Sequence, residues 1–183
     1  MISLQNSLAQ DFTRVADGIP VERNGEQLAL PFLGGLDRFI PQFADIDGDG
    51  DVDLFISDSD GQLTFLENIG TVRTPQFHLV PDAYENINVR NWFYLVDIDD
   101  DGDPDLYHAN EDNSLAFHRN RGSGGQANFV LEERTVLSLN GQPVFSQLTS
   151  IPAFADIDAD RDYDFFSGII TGEISFYMNF GEI

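Results

Sequence analysis

The chain has 183 residues, 42% hydrophobic and 12% aromatic, which is enough apolar material for a substantial core and too much for a disordered chain. Its 32 acidic residues face only 9 basic ones, all arginine, and the net charge of −23 argues against nucleic acid and anionic membrane surfaces as partners. With no cysteine there is no disulfide framework, thiolate metal site or cysteine nucleophile, and no apolar run is long enough to insert across a membrane.

From the N-terminus, MISLQNSLAQDF shows neither a basic start nor a long apolar stretch, so no signal peptide is visible and the export route is not legible. Phe12-Thr-Arg-Val reads as a short strand, and Asn24-Gly25 between apolar residues as a tight hairpin turn. Three 28-residue segments then align without gaps: 43–70, 95–122 and 154–181. Nine positions are identical in all three. They are five alternate aspartates, the isoleucine after the first of them, Phe65/Phe117/Phe176, Asn68/Asn120/Asn179 and Gly70/Gly122/Gly181. Each unit is expected to run strand, acidic loop, strand, turn, strand. The central strands are DLFIS, DLYHA and DFFSG, rich in aromatic and aliphatic residues, and the last strands are LTFLEN, LAFHRN and ISFYMN. Phe77-His-Leu-Val and Phe129-Val-Leu-Glu follow the first two units as fourth strands. Gly122-Ser-Gly-Gly reads as a surface loop and Asn140-Gly141 as a second tight turn. No stretch carries a helical period with caps. The resulting strand count of one, four, four and three suits a ring closed through the N-terminal strand, and equally an array cut from something longer.

Five carboxylates at alternate positions repel one another unless a cation neutralises them. Calcium takes six to eight oxygens at ~2.3–2.6 Å in flexible geometry. A nine-residue loop with Asp at positions 1, 3, 5 and 9, and a backbone carbonyl at position 7, can wrap one such ion. Gly50 and Gly102 at position 6 allow the tight turn, and the isoleucine at position 2 is expected to anchor the loop to the core. An EF-hand begins similarly but needs Glu at position 12 and flanking helices. Here position 12 is Ile56, His108 or Ser167, and the flanks are strand-like. Magnesium, which asks for stricter octahedral geometry, ranks second.

The segments DIDGDGDVD, DIDDDGDPD and DIDADRDYD, each with a Phe-x-x-Asn-x-Gly exit, resemble FG-GAP or VCBS-type repeats, the calcium-loop blades of β-propellers such as the integrin α-subunit head. The resemblance implies an all-β fold of propeller-like blades, each with four antiparallel strands. The three repeats would lie within a single domain over residues 1–183, closed by the N-terminal strand or belonging to a larger or oligomeric propeller. It also implies three calcium sites. Asp45, Asp47, Asp49 and Asp53 would hold the first, with the Asp51 carbonyl. Asp97, Asp99, Asp101 and Asp105 would hold the second, with the Asp103 carbonyl. Asp156, Asp158, Asp160 and Asp164 would hold the third, with the Asp162 carbonyl. Arg161 replaces the position-6 glycine there, at a left-handed cost of ~1 kcal/mol, so the third site is expected to be weakest or partly replaced by an internal ion pair.

The expected function is non-catalytic: an extracellular or cell-surface calcium scaffold for adhesion, assembly or protein contact, stabilised where free calcium is millimolar. A calcium-stabilised lectin is the alternative, with Trp92, Tyr84 and Tyr107 as aromatic candidates more suited to packing. His78, His108 and His118 show no metal-ligand spacing and read as polar or packing positions. Three bladelike units expose apolar faces that call for sister subunits, a protein partner or a covalent continuation. Arg119, Arg121 and Arg134, near the glycine-rich loop, are a candidate contact for an acidic partner, although a solvated loop suits them better.

Overall fold

A computed structural model describes residues 19–181 except 32, 35–36, 85, 123–125 and 148–149. Every regular element among them is a β-strand. A small hairpin comes first, β1 (Glu22–Arg23) and β2 (Glu26–Gln27), turned by Asn24 and Gly25, both with positive φ. Two four-stranded antiparallel sheets follow. Blade one consists of β3 (Ile40–Ala44), β4 (Asp53–Ser57), β5 (Leu63–Asn68) and β6 (Phe77–Val80). Blade two consists of β7 (Phe93–Val96), β8 (Asp105–Ala109), β9 (Leu115–Asn120) and β10 (Phe129–Glu133). Blade three has β11 (Ala153–Ala155), β12 (Asp164–Gly168) and β13 (Ile174–Tyr177). Each sheet is a meander with its strands in chain order, and no sheet closes on itself.

The expected strand order therefore holds across all three repeats. The asparagine that ends each last strand starts the next turn, and in blade three β13 stops two residues short of it. The Phe12-Thr-Arg-Val segment lies outside the described residues. Asn140-Gly141 turns a short hairpin bridged between Leu137 and Pro143, with the Gly141 amide donating to the Ser138 carbonyl at 2.8 Å.

Apolar residues of adjacent blades meet face to face. Phe55, Phe65, Ile46 and Leu63 of blade one pack on Phe93 and Leu106 of blade two, with Ile87 and Val89 from the connection. Tyr107, Phe117, Ala109 and Leu115 of blade two pack on Phe154 and Phe165 of blade three, with Trp92 and Val144. The lectin-candidate aromatics belong to this packing. Trp92 is 1% exposed and its indole N–H donates to Ser146 Oγ at 2.6 Å, while Tyr84 lies among the rings of Phe55, Phe65 and Phe129. Tyr107 is stacked on Phe117.

The position-2 isoleucine anchors its loop twice and not the third time. Ile46 is buried between blades one and two and Ile98 packs between blades two and three, but Ile157 is 62% exposed. The reason is geometric: this side chain points toward the following blade, and no described element follows blade three. The repeated Asn-x-Gly also gains a cause. A Cβ on Gly70 would lie 2.4 Å from the Thr74 carbonyl oxygen, and one on Gly122 2.1 Å from that of Gln126, so the chain turning into the fourth strand passes where a side chain would stand.

Candidate metal centres

Each acidic loop joins the first and second strands of its blade, and its backbone is organised by its own carboxylates. In loop one Asp45 Oδ1 accepts the Gly48 amide at 2.9 Å and Oδ2 the Gly50 amide at 3.1 Å. Asp47 and Asp49 each accept the amide two residues on. In loop two Asp97 accepts the Asp101 and Gly102 amides. In loop three Asp156 accepts those of Ala159 and Arg161. Such aspartate turns fold the loop inward and turn the carboxylates toward a common centre. Two positions per loop are left-handed, the fourth and the sixth: Gly48 and Gly50, Asp100 and Gly102, Ala159 and Arg161. The sixth is legible from glycine in two repeats, but the fourth carries Gly, Asp and Ala and gives no sequence signal.

The structure brings together Asp45, Asp47 and Asp49, then Asp97, Asp99 and Asp101, then Asp156, Asp158 and Asp160, each triplet with one oxygen per residue within 4.8 Å of the others. The position-9 residues Asp53, Asp105 and Asp164 lie buried below. Each accepts the backbone amide of the repeated asparagine: Asn68 at 2.7 Å, Asn120 at 2.6 Å and Asn179 at 2.8 Å. The identical asparagine of the sequence thus ties the end of the last strand to the acidic loop, a role its spacing did not reveal. The second oxygen of Asp53 and of Asp164 reaches the position-2 amide at 3.3 Å, whereas Asp105 Oδ2 is buried without a partner. At position 7 Asp51 Oδ1 is likewise buried and unpartnered, while the Asp103 side chain is exposed and that of Asp162 partly so.

These environments disfavour bare anions. Burial pushes Asp53 up to about 6 against the opposing amides of Asn68 and Ile46, and burial pushes Asp105 up to about 6 as well. Asp51 is raised by burial and then by the carboxylates of Asp49, Asp47 and Asp45. A buried carboxylate oxygen with no donor, beneath three converging carboxylates, fits a hard cation that accepts oxygen lone pairs. The triplets Asp45, Asp47 and Asp49, Asp97, Asp99 and Asp101, and Asp156, Asp158 and Asp160 could each hold a metal ion, and their oxygen donors are compatible with calcium. When bound, the ion supplies the positive charge that lets the carboxylates converge.

The three loops are not equal. Burial of the triplet declines from loop one to loop three, where all three aspartates are exposed. Arg161 is left-handed at φ 82°, as its position demands, and makes no ion pair among the described residues. The internal ion pair expected at loop three stands at loop two instead, where the Arg119 guanidinium binds Asp99 and Glu132, and Arg121 also binds Glu132. Arg119 and Arg121 are therefore engaged within blade two. His108 and His118, unrelated in the sequence reading, meet through their Nε2 atoms at 3.0 Å, both buried.

Against this geometry a family comparison is decisive. Residues 45–108 and 97–167 match the model of the FG-GAP-like repeat. The chain belongs to that family. No curated protein and no solved structure matches it. The two matched spans overlap across blade two, so the family's unit covers the acidic loop of one blade and runs through the strands that lead to the next. Among the described residues no helix is long and apolar enough to cross a membrane.

Proposed function

We propose that this FG-GAP-repeat chain is a non-catalytic, calcium-stabilised scaffold that works outside the cell in adhesion, assembly or protein contact, residues 1–183 acting as one propeller-like unit. The observation that carries the reading is the threefold recurrence of an aspartate triplet above a buried aspartate, with the lone Asp105 oxygen left for a cation. An ion that binds only the folded chain at ~100 times its dissociation constant adds about 2.7 kcal/mol, a large fraction of the ~5–15 kcal/mol that holds a domain folded. Such sites fill where calcium is millimolar, which is the extracellular address. The buried histidines bond each other and the interblade aromatics pack on one another, so neither group argues for catalysis or for a sugar platform. Thermal melting with calcium and with a chelator tests the reading. Chelation should lower the melting temperature by ten degrees or more, and an unchanged melt refutes it.

A further inference from the structure

Blade two departs from blade one at two matched positions, where Ile56 and Leu66 are replaced by His108 and His118. In blade one the pair is apolar and covered, with Leu79, Leu30 and Leu33 packed on it. Packing at these positions therefore needs no polar group, and two imidazoles there must have their ring nitrogens satisfied out of water. The cover differs as well. Leu131, the counterpart of Leu79, is 41% exposed, and together with both histidines it lines a cleft of about 630 Å³.

The strands set the two rings for a shared ligand. His108 stands opposite Ala116 in the β8–β9 ladder, so His118, two residues on, lies diagonally across on the same face. The two Nε2 atoms are 3.0 Å apart, and the residues are 6% and 8% exposed. The other nitrogens fix the protons. His108 Nδ1 lies 2.9 Å from the Ala109 carbonyl, which can only accept, so Nδ1 carries the hydrogen and the neutral ring presents a bare lone pair at Nε2. For the two rings alone, His118 must then donate from Nε2, which leaves a lone pair on its Nδ1. That atom is buried and lacks a hydrogen bond of good geometry, and the Phe129 carbonyl beside the ring favours a proton on it. A cation shared by the two Nε2 atoms removes the conflict, because the hydrogen of His118 then sits on Nδ1 and both Nε2 lone pairs are used.

We propose that His108 and His118 form a two-imidazole site for a borderline divalent transition ion of the zinc type, reached through this cleft. Zinc–nitrogen bonds of ~2.0–2.1 Å at a tetrahedral angle set two ligand nitrogens ~3.3 Å apart, so the rings need part by only ~0.3 Å. A ring N–H donated to a backbone carbonyl is the support that a metal-bound histidine ordinarily has, and His108 has it from Ala109. Imidazole suits zinc and its neighbours, whereas calcium takes oxygen, so this is not a fourth calcium site. Among the described residues no third histidine or carboxylate joins the pair, which leaves the remaining coordination positions open to the cleft. The cleft walls balance their own charge, with Arg90 3.5 Å from Glu111 and with Arg134 and Asp112 also present. The chain's −23 draws cations toward it. The site shares no residue with the acidic loops and stands apart from the calcium reading.

The test uses the full chain, labelled with nitrogen-15 at histidine and held in saturating calcium at neutral pH, with zinc alone as the added probe. The Nε2 resonances of His108 and His118 should move together to metal-bound positions as one zinc is taken up per chain, and excess calcium should not displace it. His108→Gln and His118→Gln should each weaken that uptake at least ~10-fold, since loss of a mere supporting group already costs a metal site that much, while His78→Gln leaves it unchanged. Zinc that leaves both rings unmoved, shifts only His78, or binds His118→Gln as tightly as the parent overturns the proposal. The two-ring shift in the unmodified chain decides the matter even where a variant fails to fold. Melting with calcium and with chelator is read on the same samples, so failure of the zinc site and failure of the calcium reading are told apart.

Discussion

Replacing Asp105 by asparagine separates a metal ligand from a structural anchor. Asp105 is fully buried; its Oδ1 accepts the Asn120 amide at 2.6 Å and its Oδ2 has no partner. Burial holds its carboxyl near 6 instead of 3.8. A raised carboxyl destabilises the fold at pH values above the folded value, and the penalty fades as pH falls from 6 toward 3.8. At pH 7 without calcium it amounts to about 3 kcal/mol. Asparagine keeps the acceptor for Asn120 and removes the charge, but places an amide N–H₂ where no acceptor stands, at a cost of about 1–3 kcal/mol. The variant should therefore be as stable as the parent in chelator, or up to about 2 kcal/mol more stable. In saturating calcium the order reverses. The parent gains about 2.7 kcal/mol at the second site that the variant forgoes, so the calcium-induced rise in melting temperature should be smaller by about 5–10 °C. Circular-dichroism melts in chelator and in calcium, with calorimetric counting of ions, measure both. If Asp105→Asn loses the same stability in both conditions, Asp105 is only a tether for Asn120 and the assignment of position 9 as a ligand fails.

Three other outcomes follow from single contacts. Arg161→Gly removes about 1–2 kcal/mol of left-handed strain at φ 82° and adds about 0.5–1 kcal/mol of unfolded-chain entropy; the net gain raises the melting temperature by a degree or two, and calcium titration should show the third site tightened. Arg119→Gln releases Asp99 from the guanidinium, so calorimetry should find the second site bound several-fold more tightly. Burial pushes His108 below its usual range and His118 down to about 4, with His108 adding to the His118 effect; because the unfolded rings take up protons first, calcium-saturated protein should lose stability as pH falls from 6.5 toward 4, and the His108→Leu/His118→Leu variant, monitored by urea unfolding at pH 7 and pH 5, should lose less.

Periodicity was enough to fix the blades, since five alternate aspartates and a Phe-x-x-Asn-x-Gly exit recur in register and each local pattern recurs with its strand. The convergence of the carboxylates was legible for the same reason: acids spaced along nine residues are local, so positions 1, 3 and 5 meet wherever the turn forms. Contacts between distant residues were not legible. Nothing in the spacing of Arg119 and Asp99 says that a strand beyond the loop will return its guanidinium to an aspartate of the acidic triplet, and His108 and His118 meet only because β8 and β9 pair with the register that sets them diagonally. Ile157 carries the same signal as Ile46 and Ile98, yet its burial depends on a neighbour that a repeat cannot encode. Chain chemistry sets what each blade offers, through backbone turns and side-chain alternation that act over a few residues. Packing of one blade on another decides which of those offers are taken, because burial and pairing require surfaces brought together from far along the chain.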